Sequence, residues 1–216
     1  MEGKDKRMCL ISGAVHAVAE YGLENVTTKK ISDCAQVNEA LIFRYYKSKD
    51  DFLLKAFLEV GAEIAQEMLS AAPLVLQHPE QEPETRMRAF FARIWSFFLD
   101  HPDMCVFSLR YYHSEAYKKH IEQGFVHESA LTERLKAYFP HSENTNLMLL
   151  YSLVNLFCAV EKIWQGVLPR TRETEEKVFR LLYNGLWYRF AEKLEVKESI
   201  RHRMRFRPGY REKSSD

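Results

Sequence analysis

Helix-breaking residues cut this chain into pieces of helix length, and little in it supports a strand. Gly22, the run Pro73–Pro79–Pro83, His101-Pro102, Pro140 and the Gly166–Pro169 stretch fall between segments whose apolar residues recur three and four apart. No segment sustains the period-two alternation of a half-buried strand. The pattern predicts an all-α protein of about nine helices.

The first segment, 5–21, places Cys9, Leu10, Ala14, Ala17, Val18 and Tyr21 near one face. Thr27 or Thr28 is positioned to cap a short helix through Ala35, and Asn38 to cap a second over 39–45. Ser48 then precedes a long helix with Phe52, Leu53, Ala56, Phe57, Val60 and Ile64 as its stripe. Residues 71–83 form a connection. Helices are expected over 84–100, 103–113, 115–138, 144–166 and 172–195, and the polar, basic tail 196–216 is expected to fray.

Composition fits a globular chain with a real core: of 216 residues, 46% are hydrophobic and 28% charged, which excludes disorder and a disulfide-stapled miniprotein. Cys9, Cys34, Cys105 and Cys158 form no CxxC pair and read as small core residues in a reducing cytosol. The N-terminus lacks a clean signal-peptide core. The most apolar stretch, Leu147 to Val160, carries Ser152 and Asn155 and is shorter than the roughly 20 residues of a membrane span, so it reads as a buried helix. A cytoplasmic protein with no membrane association is expected. His113, His120 and His127 recur every seven residues, which places them on one helix face too far apart to share an ion. HExxH, P-loop, GxSxG and GxGxxG motifs are absent, so no enzyme activity, metal or cofactor is expected.

The strongest local signal is the pair of short helices separated by Gln36-Val37, with one helix before and a long one after. That is helix-turn-helix spacing. Thr27, Thr28 and Lys29 open the first short helix, where free backbone N–H groups and hydroxyls can meet a phosphate. The second, from Asn38, buries Ile42 and offers Glu39, Ala40, Arg44 and Tyr45 on its other face. Lys47 and Lys49 suit a further phosphate at the start of the long helix. Glu39 can accept from a cytosine amino group or simply face solvent.

These residues resemble a family. The stretch from Ile11 to Leu53 is similar to the DNA-binding domain of the tetracycline-repressor (TetR) type of bacterial regulator. The matching elements are Ala14–Ala17–Ala19, Tyr21-Gly22-Leu23, Val26-Thr27, Ile31-Ser32, Ala35, Val37, Ile42-Phe43, Tyr45-Tyr46 and Lys47-Ser48-Lys49. The remaining 160 or so residues match in architecture only. The resemblance implies a homodimer with two DNA-binding heads below a helical body, whose last two helices form the dimer interface. It also implies a small-molecule effector that releases operator DNA, most simply as a repressor. Three positions depart from the family pattern. Gln36 stands where Gly is usual, so its backbone is either not strongly left-handed or strained. Leu41 and Phe43 replace a Thr and a Tyr that commonly contact phosphate. Those losses motivate an alternative, a helical adaptor with weakened DNA binding.

On this basis residues 1–50 form the DNA-binding domain, 51–195 the ligand-binding and dimerisation domain, and 196–216 a flexible basic tail. Phe91, Trp95, Phe98, Tyr111, Tyr112, Phe157, Glu161 and Trp164 are candidates to line a pocket for a largely apolar effector. Leu147, Leu150, Val154, Cys158, Leu182, Leu186 and Phe190 exceed what one core-facing stripe needs and are candidates for a dimer interface. A two-fold dimer matches a near-palindromic operator. The net charge of +1 hides an uneven distribution: residues 1–49 carry 8 Lys+Arg against 6 Asp+Glu, 50–195 carry 16 against 21, and the tail carries 7 against 3. A head at only +2 predicts modest affinity with a shallow salt dependence.

Overall fold

A computed structural model describes residues 3–122 and 145–188. Nine α-helices and no strand occur among them: α1 Gly3–Tyr21, α2 Thr28–Ala35, α3 Ala40–Tyr45, α4 Lys49–Ala71, α5 Pro83–Asp100, α6 Pro102–Tyr112, α7 Glu115–Glu122, α8 Thr145–Trp164 and α9 Arg172–Leu182. A 3-10 turn, Ala72–Val75, follows α4, and a π turn, Tyr183–Trp187, continues α9. His127, Pro140, Phe190, the far ends of the helices expected over 115–138 and 172–195, and the tail lie outside the described residues.

The ends of these helices follow from side-chain capping. Thr27 Oγ1 accepts from the Lys30 N–H, Ser48 Oγ from that of Asp51 and Thr171 Oγ1 from that of Thr174, each satisfying a backbone donor that the first turn leaves open. Asp51 reaches back to the Lys47 N–H, which closes the entry to α4 from both sides. Pro83 and Pro102 open α5 and α6, where a missing N–H is tolerated.

The head is α1–α3 with the start of α4. Leu10, Ala14, Val18, Val26, Ile31, Ile42 and Phe52 are all buried at its centre. Helices α1 and α2 approach closely at Gly13, where a Cβ would stand 2.6 Å from Ala35 Cβ and 2.8 Å from Ala35 N. Two expected inner positions of α1 differ. Tyr21 is exposed, its ring lying 4.5 Å from Lys30 Nζ, and Cys9 is half-buried. Helix α4 runs unbroken across the expected boundary at residue 50, packing against α1 and, further along, against α5.

The body is organised around α6. Every residue from Met104 to Leu109 is buried, because α1, α4, α5, α7 and α8 all pack on this helix. Helix α5 contributes Phe90, Phe91, Ile94, Trp95 and Phe98 to the same core. Helix α9 is pinned to α5 by Arg88, which pairs with Glu176 and Glu84 and lies 3.9 Å from the Phe179 ring centre. Arg180 adds pairs to Glu84 and Glu176. Hydrogen bonds from Arg88 and Arg180 hold the Glu176 carboxyl below the usual carboxylate range.

Three expectations change. Helix α8 is not buried in the chain. Its window Leu147–Trp164 is long and apolar enough to span a membrane by length and hydropathy, and only 33% of it is buried. One face packs on α5 and α6, while Leu147, Tyr151, Cys158 and Trp164 are exposed. Cys158 is therefore no core residue, and among the four cysteines only Cys105 is buried. His113 ends α6 and His120 lies in α7, so a turn separates two residues expected on one helix face.

Replacing Gly13 by Ala forces backbone apart at the α1–α2 contact. The expected outcome is a loss of about 1–3 kcal/mol, as for other overpacked sites, read by chemical denaturation followed by circular dichroism. Unchanged stability would contradict the close approach.

Candidate nucleic-acid interface

Helices α2 and α3 are joined by a tight turn that ends α2. The Gln36 N–H donates to Asp33 O and the Val37 N–H to Ser32 O, the paired bonds of a Schellman cap. Such a cap puts its central residue in the left-handed region, and Gln36 sits there at φ 53°, ψ 39°. Of the two sequence-based alternatives the strained one holds, at a cost of about 1–2 kcal/mol for a residue with a Cβ. The same cap closes α8 with Gly166 at φ 72°, where no such cost arises.

Asn38 Oδ1 accepts from the Ala40 N–H at 2.8 Å, so Asn38 caps α3 although the regular helix begins two residues later. Ile42 is fully buried and Leu41 half-buried beneath α3. Ala40, Phe43 and Arg44 face outward. Lys29 and Lys47, from the start of α2 and the turn before α4, are exposed as well. Thr27 is exposed, and its hydroxyl accepts the capping bond while keeping its own proton to donate.

The other expected contacts are engaged within the chain. Thr28 donates its hydroxyl proton to the Glu39 carboxylate across the turn. Lys49 is half-buried, and its ammonium donates to Val26 O at 3.2 Å. Tyr45 is half-buried with the Arg7 guanidinium 4.7 Å from its ring centre. Its neighbour Tyr46 packs on Phe52 at 4.6 Å, and burial pushes the Tyr46 hydroxyl up while Arg7 opposes the shift. One residue escaped the sequence reading, and a second was read there only for the hydroxyl it lacks. Arg7 lies 38 positions from the ring it covers, which no local pattern reveals. Phe43 is 60% exposed on the outer face of α3, where its lack of a hydroxyl hid its value as apolar surface.

In the body the expected pocket residues separate into groups. Phe91 lines a cavity of about 20 Å³ between α4, α5, α8 and the π turn, together with Met68, Phe90, Leu149, Ser152 and Trp187. Trp95 stacks on Phe91 at 5.6 Å, and Phe98 meets Phe157 edge-on at 5.0 Å, all in the core. Tyr111 and Tyr112 belong to a second aromatic cluster with Phe57 and Tyr117. Among the described residues the buried Tyr111 hydroxyl has no hydrogen-bond partner, and burial with the nearby Asp50 charge raises its pKa. Glu161 is half-buried and Trp164 is 42% exposed, and neither reaches the cavity. Among the described lining residues the polar side-chain groups are the Ser152 hydroxyl, which donates to Met148 O, and the Trp187 indole N–H, which donates to Ser152 Oγ.

The expected interface residues also divide. Leu147 and Cys158 are exposed, and Leu150, Val154 and Leu186 are half-buried. Leu182 turns inward and is 1% exposed, while its neighbour Leu181 takes the outward position at 64%.

Comparison with known proteins agrees with this geometry. Residues 10–56 match the family model of bacterial regulatory proteins, tetR family. A TetR family transcription regulator of Marinobacter aquaeolei VT8 superposes with a TM-score of 0.62 at 17% identity, covering 84% of this chain and 95% of that one. A putative transcriptional regulator of Pseudomonas aeruginosa PAO1 gives 0.59 at 17% identity over 90% and 96%. The fatty acid degradation regulator FadR of Bacillus halodurans gives 0.58 at 22% identity over 86% and 98%. No curated protein matches the sequence.

Arg44→Ala and Lys47→Ala each remove an exposed cation from this surface. Each is expected to weaken binding to all DNA sequences alike and to lower the slope of log K against log salt by about 1, measured by fluorescence anisotropy across a salt series. Unchanged slopes for both variants would place the phosphate contacts elsewhere.

Proposed function

Because residues 10–56 match the family model of bacterial regulatory proteins, tetR family, we propose that this chain is a DNA-binding transcription regulator of that type, a homodimeric repressor released from a near-palindromic operator by a small, largely apolar effector. Thr27, Lys29, Arg44 and Lys47 hold the phosphates in this reading, with the outer face of α3 in the major groove. Thr28, Asn38, Glu39, Ala40, Tyr45 and Lys49 complete the surface.

The cavity beside Phe91 is the observation that carries the effector class. Among the described residues its lining offers no unengaged polar side chain, because Ser152 and the Trp187 N–H bond each other and Ser152 donates to Met148 O. An ionised ligand placed there would lose its hydration without compensation, whereas a hydrocarbon or acyl chain would not. At about 20 Å³ the cavity has room for about one water molecule, so an effector must part α8 from α4 and α5 to enter. That requirement makes ligand binding and a change in the body a single event, and the effector shifts the equilibrium only by its differential affinity for the opened form.

The partner surface follows from α8 and α9. Leu147, Tyr151, Trp164 and Leu181 are 53%, 56%, 42% and 64% exposed, an apolar face that a monomer would leave in water. A second copy covers it in this reading, and Leu150, Val154, Cys158 and Leu186 lie along the same helices.

Two measurements test these assignments. A thermal-shift screen of lipophilic acids, cations and acyl thioesters is expected to find an apolar-chain ligand that stabilises the protein and weakens its retardation of its own upstream DNA. Leu153→Trp, at the cavity wall, is expected to abolish the stabilisation. A stabilising ligand that leaves DNA binding unchanged would overturn the effector role. Leu181→Glu is expected to convert a dimer to a monomer in sedimentation equilibrium, and a wild-type monomer at micromolar concentration would remove the interface.

A further inference from the structure

The contact between Thr28 and Glu39 changes what each residue can offer to DNA. Thr28 is the first residue of α2, and Glu39 immediately precedes α3. Thr28 has one hydroxyl proton, and it is donated to the Glu39 carboxylate. A phosphate oxygen only accepts, so in this arrangement the Thr28 side chain has no donor to give it. The carboxylate would repel a phosphate outright. Among the described residues Thr28 is the one side chain that bonds the carboxylate, which leaves Glu39 Oε2 and the lone pairs of Thr28 as acceptors. An acceptor-only element therefore sits at the entrance of α3, on a surface whose exposed side chains Lys29, Arg44 and Lys47 are cationic.

We propose that Glu39, held in place by Thr28, is a specificity-determining residue that accepts a hydrogen bond from the exocyclic amino group of a cytosine in the operator major groove. The inference rests on the DNA-binding reading of this surface and deepens it. Base chemistry selects cytosine among the four. Thymine shows only an acceptor and a methyl group in the major groove, and guanine shows two acceptors. Adenine has an amino donor, but its N7 acceptor lies beside it and repels a carboxylate. Cytosine presents its amino donor next to a plain C–H, so a carboxylate meets no opposing lone pair on that base. Thr28 acts as the positioning residue: its bond fixes the carboxylate across the turn between α2 and α3, and it must be kept for the preference to be sharp.

The test uses the full chain and needs no known operator. Wild type, Glu39→Gln, Glu39→Ala and Thr28→Val are each used to enrich binding sites from a random double-stranded DNA library, after circular dichroism verifies their helix content. Wild type is expected to enrich a cytosine at one position of each half-site. Glu39→Gln keeps the shape and the bond from Thr28, and is expected to move that position to adenine, whose N6 and N7 an amide can bond together. Glu39→Ala is expected to flatten that position alone, with the cytosine-containing site losing about 5- to 150-fold in relative affinity. Thr28→Val is expected to blunt the preference without replacing it. If the consensus is unchanged in both Glu39 variants, or if Glu39→Ala tightens binding to all sequences equally, Glu39 is only a brace between helices and the proposal fails alone. If wild type enriches no sequence, the DNA-binding reading fails and takes this proposal with it.

Discussion

Helix α6 ties the head to the body, and the arrangement of both depends on that tie. Its residues Met104 to Leu109 are enclosed on all sides. One residue further on, the Arg110 guanidinium crosses to the end of α1 and donates to Val18 O and, at 2.8 Å, to Ala19 O. The last carbonyls of a helix lack partners within it and carry the negative end of its dipole, so a guanidinium there serves both as donor and as counter-charge. A shift of α6 must either carry the end of α1 with it or break two charge-assisted bonds. His16 sits on the same seam, 4.0 Å from the Asp103 carboxylate at the opposite end of α6.

In the proposed reading the head would transmit such a shift, because it is tightly packed. Gly13 lets α1 lie against α2 at Ala35, with only the Ala35 methyl group between the two backbones. The next link is the turn at Gln36, held left-handed by two backbone bonds although the residue has a Cβ. The Thr28–Glu39 bond spans that same turn from the outside. Helix α3 has only six residues and would not be stable alone, so its orientation is set by these contacts and by Ile42 beneath it.

Much of this was legible because it is local. The caps at Thr27, Asn38 and Ser48 and the breaks at Gly22 and His101-Pro102 depend on residues within a turn of each other. So does the inner stripe of α4, where Phe52, Leu53, Ala56, Val60 and Ile64 are all buried as expected and Phe57 is half-buried. What the sequence hides is which apolar residue of a pair faces which way. Leu181 and Leu182 are identical side chains, and only the packing of Phe179, Leu182 and Trp187 against α5 and α8 turns Leu182 inward. The aromatics of α5 and α6 fail to reveal a pocket for a related reason: a ring looks the same in sequence whether its neighbour is a void or another ring. Contacts between remote positions, such as Arg7 on Tyr45 or Arg110 on α1, leave no periodic trace at all.

The charge of the head takes on a different meaning once its cations are located. Lys49 is committed to Val26 O, Lys30 to Asn25 O and the Tyr21 ring, and Arg7 lies over Tyr45. Among the cations from α2 to α4, Lys29, Arg44, Lys47 and Lys55 are exposed, and the half-buried Glu39 stands between α2 and α3. Non-specific attraction to DNA grows with the number of phosphates neutralised, so a head of this kind gains little from it. Base-edge contacts, by contrast, do not depend on net charge. In the proposed reading, a surface with no phosphate donor at Leu41, Phe43 or Thr28, a fixed acceptor at Glu39 and an exposed aromatic at Phe43 would shift its balance from holding the backbone toward discriminating bases. Weak general affinity then helps selectivity, because each non-specific site competes less for the protein.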